Sequence, residues 1–486
     1  MNAISPSSDS YLYEQVESMV RGMIDDGVLK VGERVPSIRA MSRKVRVSMA
    51  TVMQAYLALE NKGYVESRPK SGFYVRPRRG PEASVPRKSN PRMLPRRVER
   101  QDLIDSIFAV THESSVVSLG IANPSSELLP VKGLTRALKQ VATRYPLEAM
   151  QYCFERGGDG ELRKQIALRG ADLGCTISPG EVLTTVGTTE ALAVALSTVA
   201  RPGDVVAVES PTYFHILQLI ERLGMLALEV RTDPDTGMDL AALRQALDNV
   251  PVKAVMSVAS FSNPLGSLMP DASKREMVEL LSERNIPLIE DDIYGDLYFG
   301  EKRPRIAKCF DREGLVLTCS SFSKTIAPGY RVGWLLPGKF ADAASKWKLS
   351  MSGVGAALPQ LAIAEFLRTG NYDRHLRRLR KAYRDQVEQM RYTIAREFPD
   401  GTRITRPTGG FVLWVQLPKP VDGTELFEKS LAEGVSVTPG VLFSSTDKFK
   451  NCIRVSCGMP WNDRIEAAVK TVGRIARNLA AGTTHH

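Results

Sequence analysis

The feature that most constrains this chain lies between residues 76 and 100. That stretch holds five prolines (77, 81, 86, 91 and 95), nine basic residues and two acidic ones, with almost no apolar periodicity. Proline fixes φ and lacks an amide donor, so such a run forms neither a continuous helix nor a central strand. The 486-residue chain is therefore read as a head (10–76), a Pro/Arg-rich linker (77–100) and a body (101–486). Charge divides at the same place: residues 1–100 carry 19 Lys+Arg against 10 Asp+Glu, and the remainder carries 46 against 44. A basic head on a near-neutral body points to a polyanion partner, although a solvated basic tail gives the same count. Proline at this density favours extended chain, so the head can lie far from its own body. The basic linker residues either add unspecific DNA affinity or touch nothing.

Composition removes other classes. At 43% hydrophobic and 24% charged, the chain is ordinary globular protein. Six cysteines (153, 175, 309, 319, 452, 457) form no CxxC pair and five histidines are scattered, so no metal site is expected and the compartment reads as reducing. Met1–Ser10 lacks the basic start and apolar stretch of a signal peptide, and no apolar run approaches the ~20 residues of a membrane-spanning helix. A cytoplasmic protein without a membrane partner is expected.

In the head, Leu12, Val16, Met19, Val20, Met23 and Ile24 recur at helical spacing until Asp25-Asp26-Gly27. Ser37 can cap a short helix through Arg43, and Ser48 a third whose Val52, Ala55, Tyr56 and Leu59 face inward before Gly63. Tyr64–Arg68 and Gly72–Arg76 alternate around Pro69-Lys70-Ser71 as a hairpin does. The pattern is a winged helix-turn-helix. Its third helix offers Ser48, Met49, Thr51 and Gln54 to a major groove, while Arg39, Arg43, Lys44, Arg68 and Lys70 can meet phosphates.

The order Val35–Arg39, Val47–Val52, Ala55-Tyr56, Gly63-Tyr64 and Ser71-Gly72 resembles the GntR family of bacterial regulators. The resemblance makes Arg39, Ser48, Thr51 and Gly72 the foremost DNA contacts. Met49 departs from it, standing where many relatives carry a DNA-contacting arginine. Base reading then leans on Thr51, Gln54, contact with thymine methyls, or the wing.

In the body, the strand-like runs 205–208, 254–258, 287–289 and 316–318 alternate with helical stretches, as in an α/β fold with a mainly parallel sheet. Ligands of such sheets bind beyond the carboxyl ends of the strands. Four clusters sit there: Thr184–Leu192, Ser262–Gly266, Glu290–Tyr294, and Ser320–Lys324 followed by Pro328–Trp334. Taken singly the first reads as an ordinary helix cap, the second as a turn and the third as a cap. The fourth concentrates hydroxyls, one lysine and one arginine.

In this order and spacing the four resemble the fold-type I pyridoxal-phosphate enzymes of the aspartate aminotransferase superfamily, from about Val117 to Ala480. The resemblance implies pyridoxal 5′-phosphate as cofactor and Lys324 as its Schiff-base lysine. By the same resemblance Asp291 pairs with the pyridinium nitrogen, Asn263 and Tyr294 hydrogen-bond the ring oxygen, and Tyr213 stacks on the ring. Thr188, Thr189, Ser321, Ser323 and Arg331 would hold the phosphate. Arg454, in Cys452–Ser456, would bind the α-carboxylate of an effector or substrate, and Gly120 would approach it through its backbone. Tyr152 stands where the family lends a tyrosine across the dimer, although the following Phe154–Gly158 departs from the usual wording.

Head, linker and body together resemble the MocR subgroup of bacterial transcription regulators. The expected architecture is an α+β winged helix-turn-helix head plus an α/β fold-type I body with a small C-terminal subdomain. The implied function is a homodimer that reads a double-stranded DNA operator and senses an amino acid, an amine or the cofactor itself. A working aminotransferase carrying a DNA-binding head stays open at this point, because every residue needed for chemistry is present.

Overall fold

The computed structural model describes residues 11–68, 71–76, 83–91, 93–96, 115–152 and 157–482. The chain divides into two compact units: the head together with Glu388–Arg396, and a body from Ala83 onward.

In the head, α1 (Leu12–Asp25), α2 (Ile38–Val45) and α3 (Met49–Asn61) precede a hairpin of β1 (Val65–Arg68) and β2 (Gly72–Val75). Both expected caps form: Ser37 Oγ accepts from Ala40 N at 3.2 Å and Ser48 Oγ from Thr51 N at 3.0 Å. Val52, Ala55, Tyr56 and Leu59 are buried against Val16, Val20, Val35 and Met41, making a small core of their own. The buried Tyr56 hydroxyl donates to Pro36 O at 2.7 Å, so its polar end is satisfied. Wing register runs from Val65 opposite Val75 to Arg68 opposite Gly72.

The body begins with β3 (Val117–Ser118). Its main sheet contains β4 (Leu183–Thr185), β5 (Val205–Ser210), β6 (Leu226–Asp233), β7 (Gly237–Met238), β8 (Val252–Ser257), β9 (Leu288–Asp291), β10 (Val316–Ser321) and β11 (Gly333–Leu336), in the order β4-β11-β10-β9-β8-β5-β6-β7. Strands β10, β9, β8, β5 and β6 are parallel, and β11 lies antiparallel between β10 and β4. That insertion brings Gly333 beside both Ser321 and Thr185, so the segment entering β11 and the one leaving β4 share the carboxyl edge with β9 and β10. Two apolar layers, one from the helix Gly187–Val199 and one from Leu240–Asn249 and Asp271–Ser282, bury the sheet's faces.

The C-terminal subdomain is built from β12 (Arg403–Ile404), β13 (Val412–Gln416), β14 (Val435–Ser436), β15 (Thr438–Pro439) and β16 (Cys452–Ser456). Four of these make an antiparallel sheet in the order β12-β13-β16-β15, while β14 pairs with β3. Among the described residues no helix is long and apolar enough to cross a membrane, and no cluster of side chains has the makings of a metal site.

One expectation is corrected. The linker is not a spacer that touches nothing, because residues 83–91 and 93–96 lie along the body. Arg96 exchanges backbone hydrogen bonds of 3.0 Å with Ala227 on the edge of β6. Ser89 Oγ donates to Ser210 O at 2.5 Å and accepts from Thr232 N at 3.2 Å, Lys88 pairs with Asp233 at 2.8 Å, and Ser84 O accepts from Ile404 N at 2.9 Å. Proline explains both readings. It forbids a central strand, but its extended backbone suits a strap along an open edge, where only some amides need partners.

Candidate functional site

The carboxyl edge of the body sheet collects the clusters that the sequence separates. β9 delivers Asp291, which is buried and accepts from Ile293 N at 3.1 Å. Burial raises its pKa to about 7; Asp292 and Glu209 push the same way, while the Ile293 amide and Lys324 oppose them. A buried carboxylate this weakly compensated favours a cationic or N–H partner.

β10 runs through Ser321 into the single turn Phe322–Lys324, whose start is fixed by Ser323 N donating to Ser321 Oγ at 3.3 Å. The turn aims Lys324 Nζ at Ala122 O (2.6 Å) and Asn123 Oδ1 (3.3 Å). Burial lowers its pKa to about 8, with Arg454 and Arg331 acting in the same direction and Asp291 against. Near neutral pH an appreciable fraction of the amine is therefore unprotonated and nucleophilic.

Tyr213, just past β5, has its pKa raised to about 12 by burial, and Tyr294 is buried and raised for the same cause. Both sense Arg454 and Asp291, so these side chains share one space with Lys324. Asn263 opposes part of the rise at Tyr294, and its Oδ1 accepts from Arg454 Nη1 at 3.1 Å.

A second group lines the start of the helix Gly187–Val199. Gly187 has φ +77°, and a Cβ there would lie 2.5 Å from Arg331 Nη2, so only glycine permits the guanidinium this close. Arg331 donates to Val186 O at 3.2 Å and to Ser323 Oγ at 3.5 Å. Thr188 Oγ1 is buried with no hydrogen-bond partner. Ser321 and Ser323 are buried beside it, and Thr189 is exposed. A helix N-terminus, the unpartnered Thr188 hydroxyl and a guanidinium together suit an anion such as a phosphate.

Arg454, at the centre of β16, is 2% exposed. Its Nη2 donates to Gly120 O and, at 3.2 Å, to Thr438 Oγ1, while Nε is buried without a partner. Phe443 flanks the guanidinium at 5.2 Å and Phe214 at 5.9 Å. Among the described residues it forms no ion pair, and burial lowers its pKa. A buried cation without a carboxylate is costly, and an anionic ligand would relieve it. Gly120 thus acts through its carbonyl on Arg454. Tyr152 is 75% exposed and outside this cluster within one chain; Cys153–Arg156 lie outside the described residues.

Sequence reasoning missed three members. Glu209, the penultimate residue of β5, is buried, accepting from Ser257 Oγ at 2.6 Å and Val258 N at 3.0 Å, and burial raises its pKa to about 7. His215 stands edge-on to Tyr213 at 5.1 Å, and burial, Arg454 and Lys324 lower its pKa to about 4, so it is neutral. Thr438 braces Gly120 through a 2.5 Å hydrogen bond. His215, two residues after Tyr213, was the one with a local signal.

In the head, α3 exposes Met49, Ala50, Met53, Gln54 and Leu57. Ser48 and Thr51 hydroxyls pair at 2.8 Å, and Arg39, Arg43 and Lys44 are exposed. Arg68 is engaged: it donates to Glu66 at 2.7 and 2.9 Å and lies 4.1 Å over the Tyr74 ring. Gly72 holds φ +107° beside Arg34, whose exposed guanidinium the sequence reading passed over. Lys70 lies outside the described residues.

The aminotransferase class I and II family matches residues 115–471. The chain belongs to that family. The bacterial regulatory proteins of the gntR family match residues 12–75, ahead of the aminotransferase body. Across 95% of its length the chain is 38% identical to the HTH-type transcriptional regulator YdcR of Escherichia coli K12, covering 98% of that protein. It is 35% identical to YjiR of the same strain, with 95% and 98% covered. The aminotransferase body is similar to LysN, the α-aminoadipate aminotransferase of Thermus thermophilus solved with N-(5′-phosphopyridoxyl)-L-leucine. The identity is 29% and the TM-score 0.72, over 79% of this chain and 96% of that one. Pyridoxal 5′-phosphate is the cofactor of this body, and the residues present fit it. The orphaned Thr188 hydroxyl and the Gly187 cradle suit its phosphate, buried Asp291 its ring nitrogen, and the amine of Lys324 its aldehyde.

Proposed function

We propose that this protein is a DNA-binding transcription regulator whose aminotransferase-like body carries pyridoxal 5′-phosphate on Lys324 and senses an amino acid, an amine or the cofactor. The observation that carries the reading is Arg454: a buried guanidinium with no carboxylate and an orphaned Nε, in the same space as Lys324, in a chain that also bears a helix-turn-helix. The cofactor supplies an aldehyde for amines to condense with and a ring that withdraws electrons. Asp291 holds the ring nitrogen, Tyr213 packs on the ring face, and Asn263 and Tyr294 direct hydrogen bonds to the ring oxygen. Thr188, Thr189, Ser321, Ser323 and Arg331 grip the phosphate. Lys324 Nζ would hold the aldehyde carbon and, as an amine whose pKa is lowered by burial, could carry a proton there. Arg454, steadied by Gly120 and Thr438, takes the effector's carboxylate.

The protein acts as a homodimer in the cytoplasm, with Tyr152 reaching the phosphate of a second copy and two heads reading two half-sites of an operator. On the head, Met49, Gln54 and the Thr51 face read bases, Arg39 and Ser48 meet the backbone, and Gly72 and Arg68 of the wing, with Lys70, contact the DNA. Arg68 must exchange Glu66 for phosphate to do so. Ligand binding shifts the body between forms with different DNA affinity.

The test is a fluorescence-anisotropy titration against the gene's own upstream DNA, with and without pyridoxal phosphate and a panel of amino compounds. Affinity is expected to change with ligand, and Arg454→Met to lose the response to carboxylate-bearing amino compounds while keeping the cofactor's visible absorption. DNA affinity indifferent to every ligand and to Lys324→Ala refutes the reading.

A further inference from the structure

Away from the cofactor cluster, two cysteines meet at the surface of the body. Cys175 follows the short helix Gly170–Leu173, with its amide donating to Gly170 O at 3.0 Å. Cys309 lies in the turn Ala307–Phe310. The two segments are stitched together at the cysteines themselves: Ile306 N donates to Leu173 O at 3.3 Å, and Cys309 Sγ approaches the same carbonyl at 3.1 Å. Between them the chains are so close that a Cβ on Gly174 would lie 2.6 Å from Arg305 Cγ. Both side chains pack against the same apolar cluster, and each thiol is close enough to shift the ionisation of the other. Both are partly exposed, whereas Cys319, Cys452 and Cys457 are buried.

We propose that Cys175 and Cys309 are a modification site, a dithiol that hydrogen peroxide closes to an intramolecular disulfide. Two thiols on segments joined by hydrogen bonds at Leu173 O have the proximity that such a bond requires. The pair is also polarised. The neighbouring Cys309 holds the Cys175 thiol below its ordinary range, Lys308 adds to this against the effect of burial, and the Cys309 thiol is held above its own. Cys175 is therefore the nucleophile and Cys309 the resolving thiol.

In the first step the Cys175 thiolate attacks one peroxide oxygen, the O–O bond breaks, and the leaving hydroxide takes a proton to become water. Sulfur is oxidised to sulfenic acid and the peroxide is reduced. In the second step the Cys309 sulfur attacks that sulfur, the S–S bond forms, and hydroxide leaves with the Cys309 proton as a second water. Two thiols and one peroxide yield one disulfide and two waters. The staple would fasten a turn whose Ala307 amide already donates to both oxygens of Glu290, at 2.8 and 2.9 Å, next to Asp291.

The experiment treats the full-length protein with hydrogen peroxide, alkylates it, digests it unreduced with trypsin and reads the peptides by mass spectrometry. The expected product joins the peptide Cys309–Arg312 to the one beginning at Gly170, two hydrogens lighter than their sum and separated again by dithiothreitol. In Cys309→Ser the reaction should stop at a sulfenic acid on Cys175 that dimedone traps, and in Cys175→Ser, Cys309 should stay alkylatable. Circular dichroism checks that both variants fold. Three outcomes overturn the proposal: both cysteines still alkylatable at peroxide levels that oxidise exposed Met150, either one joined to a different thiol, or dimedone found on Cys309 rather than Cys175.

Discussion

Thr188→Val removes a single hydroxyl at the mouth of the helix Gly187–Val199 and nearly preserves the shape of the side chain. That hydroxyl is buried, in a residue 6% exposed, and no protein group partners it. An unpaired buried hydroxyl costs about 1–3 kcal/mol in protein mutational data. The valine variant should therefore be the more stable apo-protein, by about 1 kcal/mol once some penalty for the altered methyl packing is allowed. At the size of this body that is a rise of about 1–2 °C in Tm. With cofactor bound the sign should reverse, because on the proposed assignment the hydroxyl would donate to a phosphate oxygen. Hydrogen bonds to charged groups contribute about 1.5–3 kcal/mol, so pyridoxal phosphate should bind roughly 10- to 150-fold more weakly. Thermal unfolding of the apo-protein and an absorbance titration with cofactor measure the two halves separately. A variant that loses apo stability and keeps its cofactor affinity refutes the assignment of Thr188 to the phosphate.

Burial raises the pKa of Asp291, Glu209 and Glu290 to about 7, so between the unfolded carboxylate range near 4 and pH 7 the folded body keeps protons that the unfolded chain gives up. Apo stability should fall as pH rises through that window, and Asp291→Asn should flatten the fall; thermal unfolding against pH checks it, and equal slopes in the two proteins would count against Asp291. Ser48→Ala removes the N-cap of α3 and should destabilise the head by about 1 kcal/mol, with Ser48→Asp restoring it, as the head's unfolding transition would report. Ser89→Val removes the clasp on Ser210 and Thr232 and should speed tryptic cleavage at Arg87 and Lys88; unchanged cleavage would mean that the strap is held elsewhere.

Local chemistry made the head legible in advance. Ser37 and Ser48 cap because a hydroxyl at that position reaches a free amide three residues on, whatever surrounds it. The inward set Val52, Ala55, Tyr56 and Leu59 follows from helical period alone. In the body, runs such as 205–208 and 316–318 became β5 and β10 because continuous apolar stretches suit strands covered on both faces. What periodicity could not carry was the antiparallel insertion of β11, since direction is a property of a pairing and not of a segment. The strap was missed for a related reason: proline excludes structures, and which open edge an extended chain finds is settled by the rest of the molecule.

The sequence by itself determined a two-part protein, the elements of each part, and the residue types that meet at the carboxyl edge, because caps, periods and turns are short-range effects. Only the tertiary structure decided the electrostatics of that edge. Burial lowers Lys324 and raises Asp291, and groups far away in sequence add to it, Arg454 acting on the lysine and Glu209 on the aspartate. Glu209, His215 and Thr438 join the site for the same reason, as does the meeting of Cys175 with Cys309. Desolvation and Coulomb interaction depend on distance in space, and folding sets that distance.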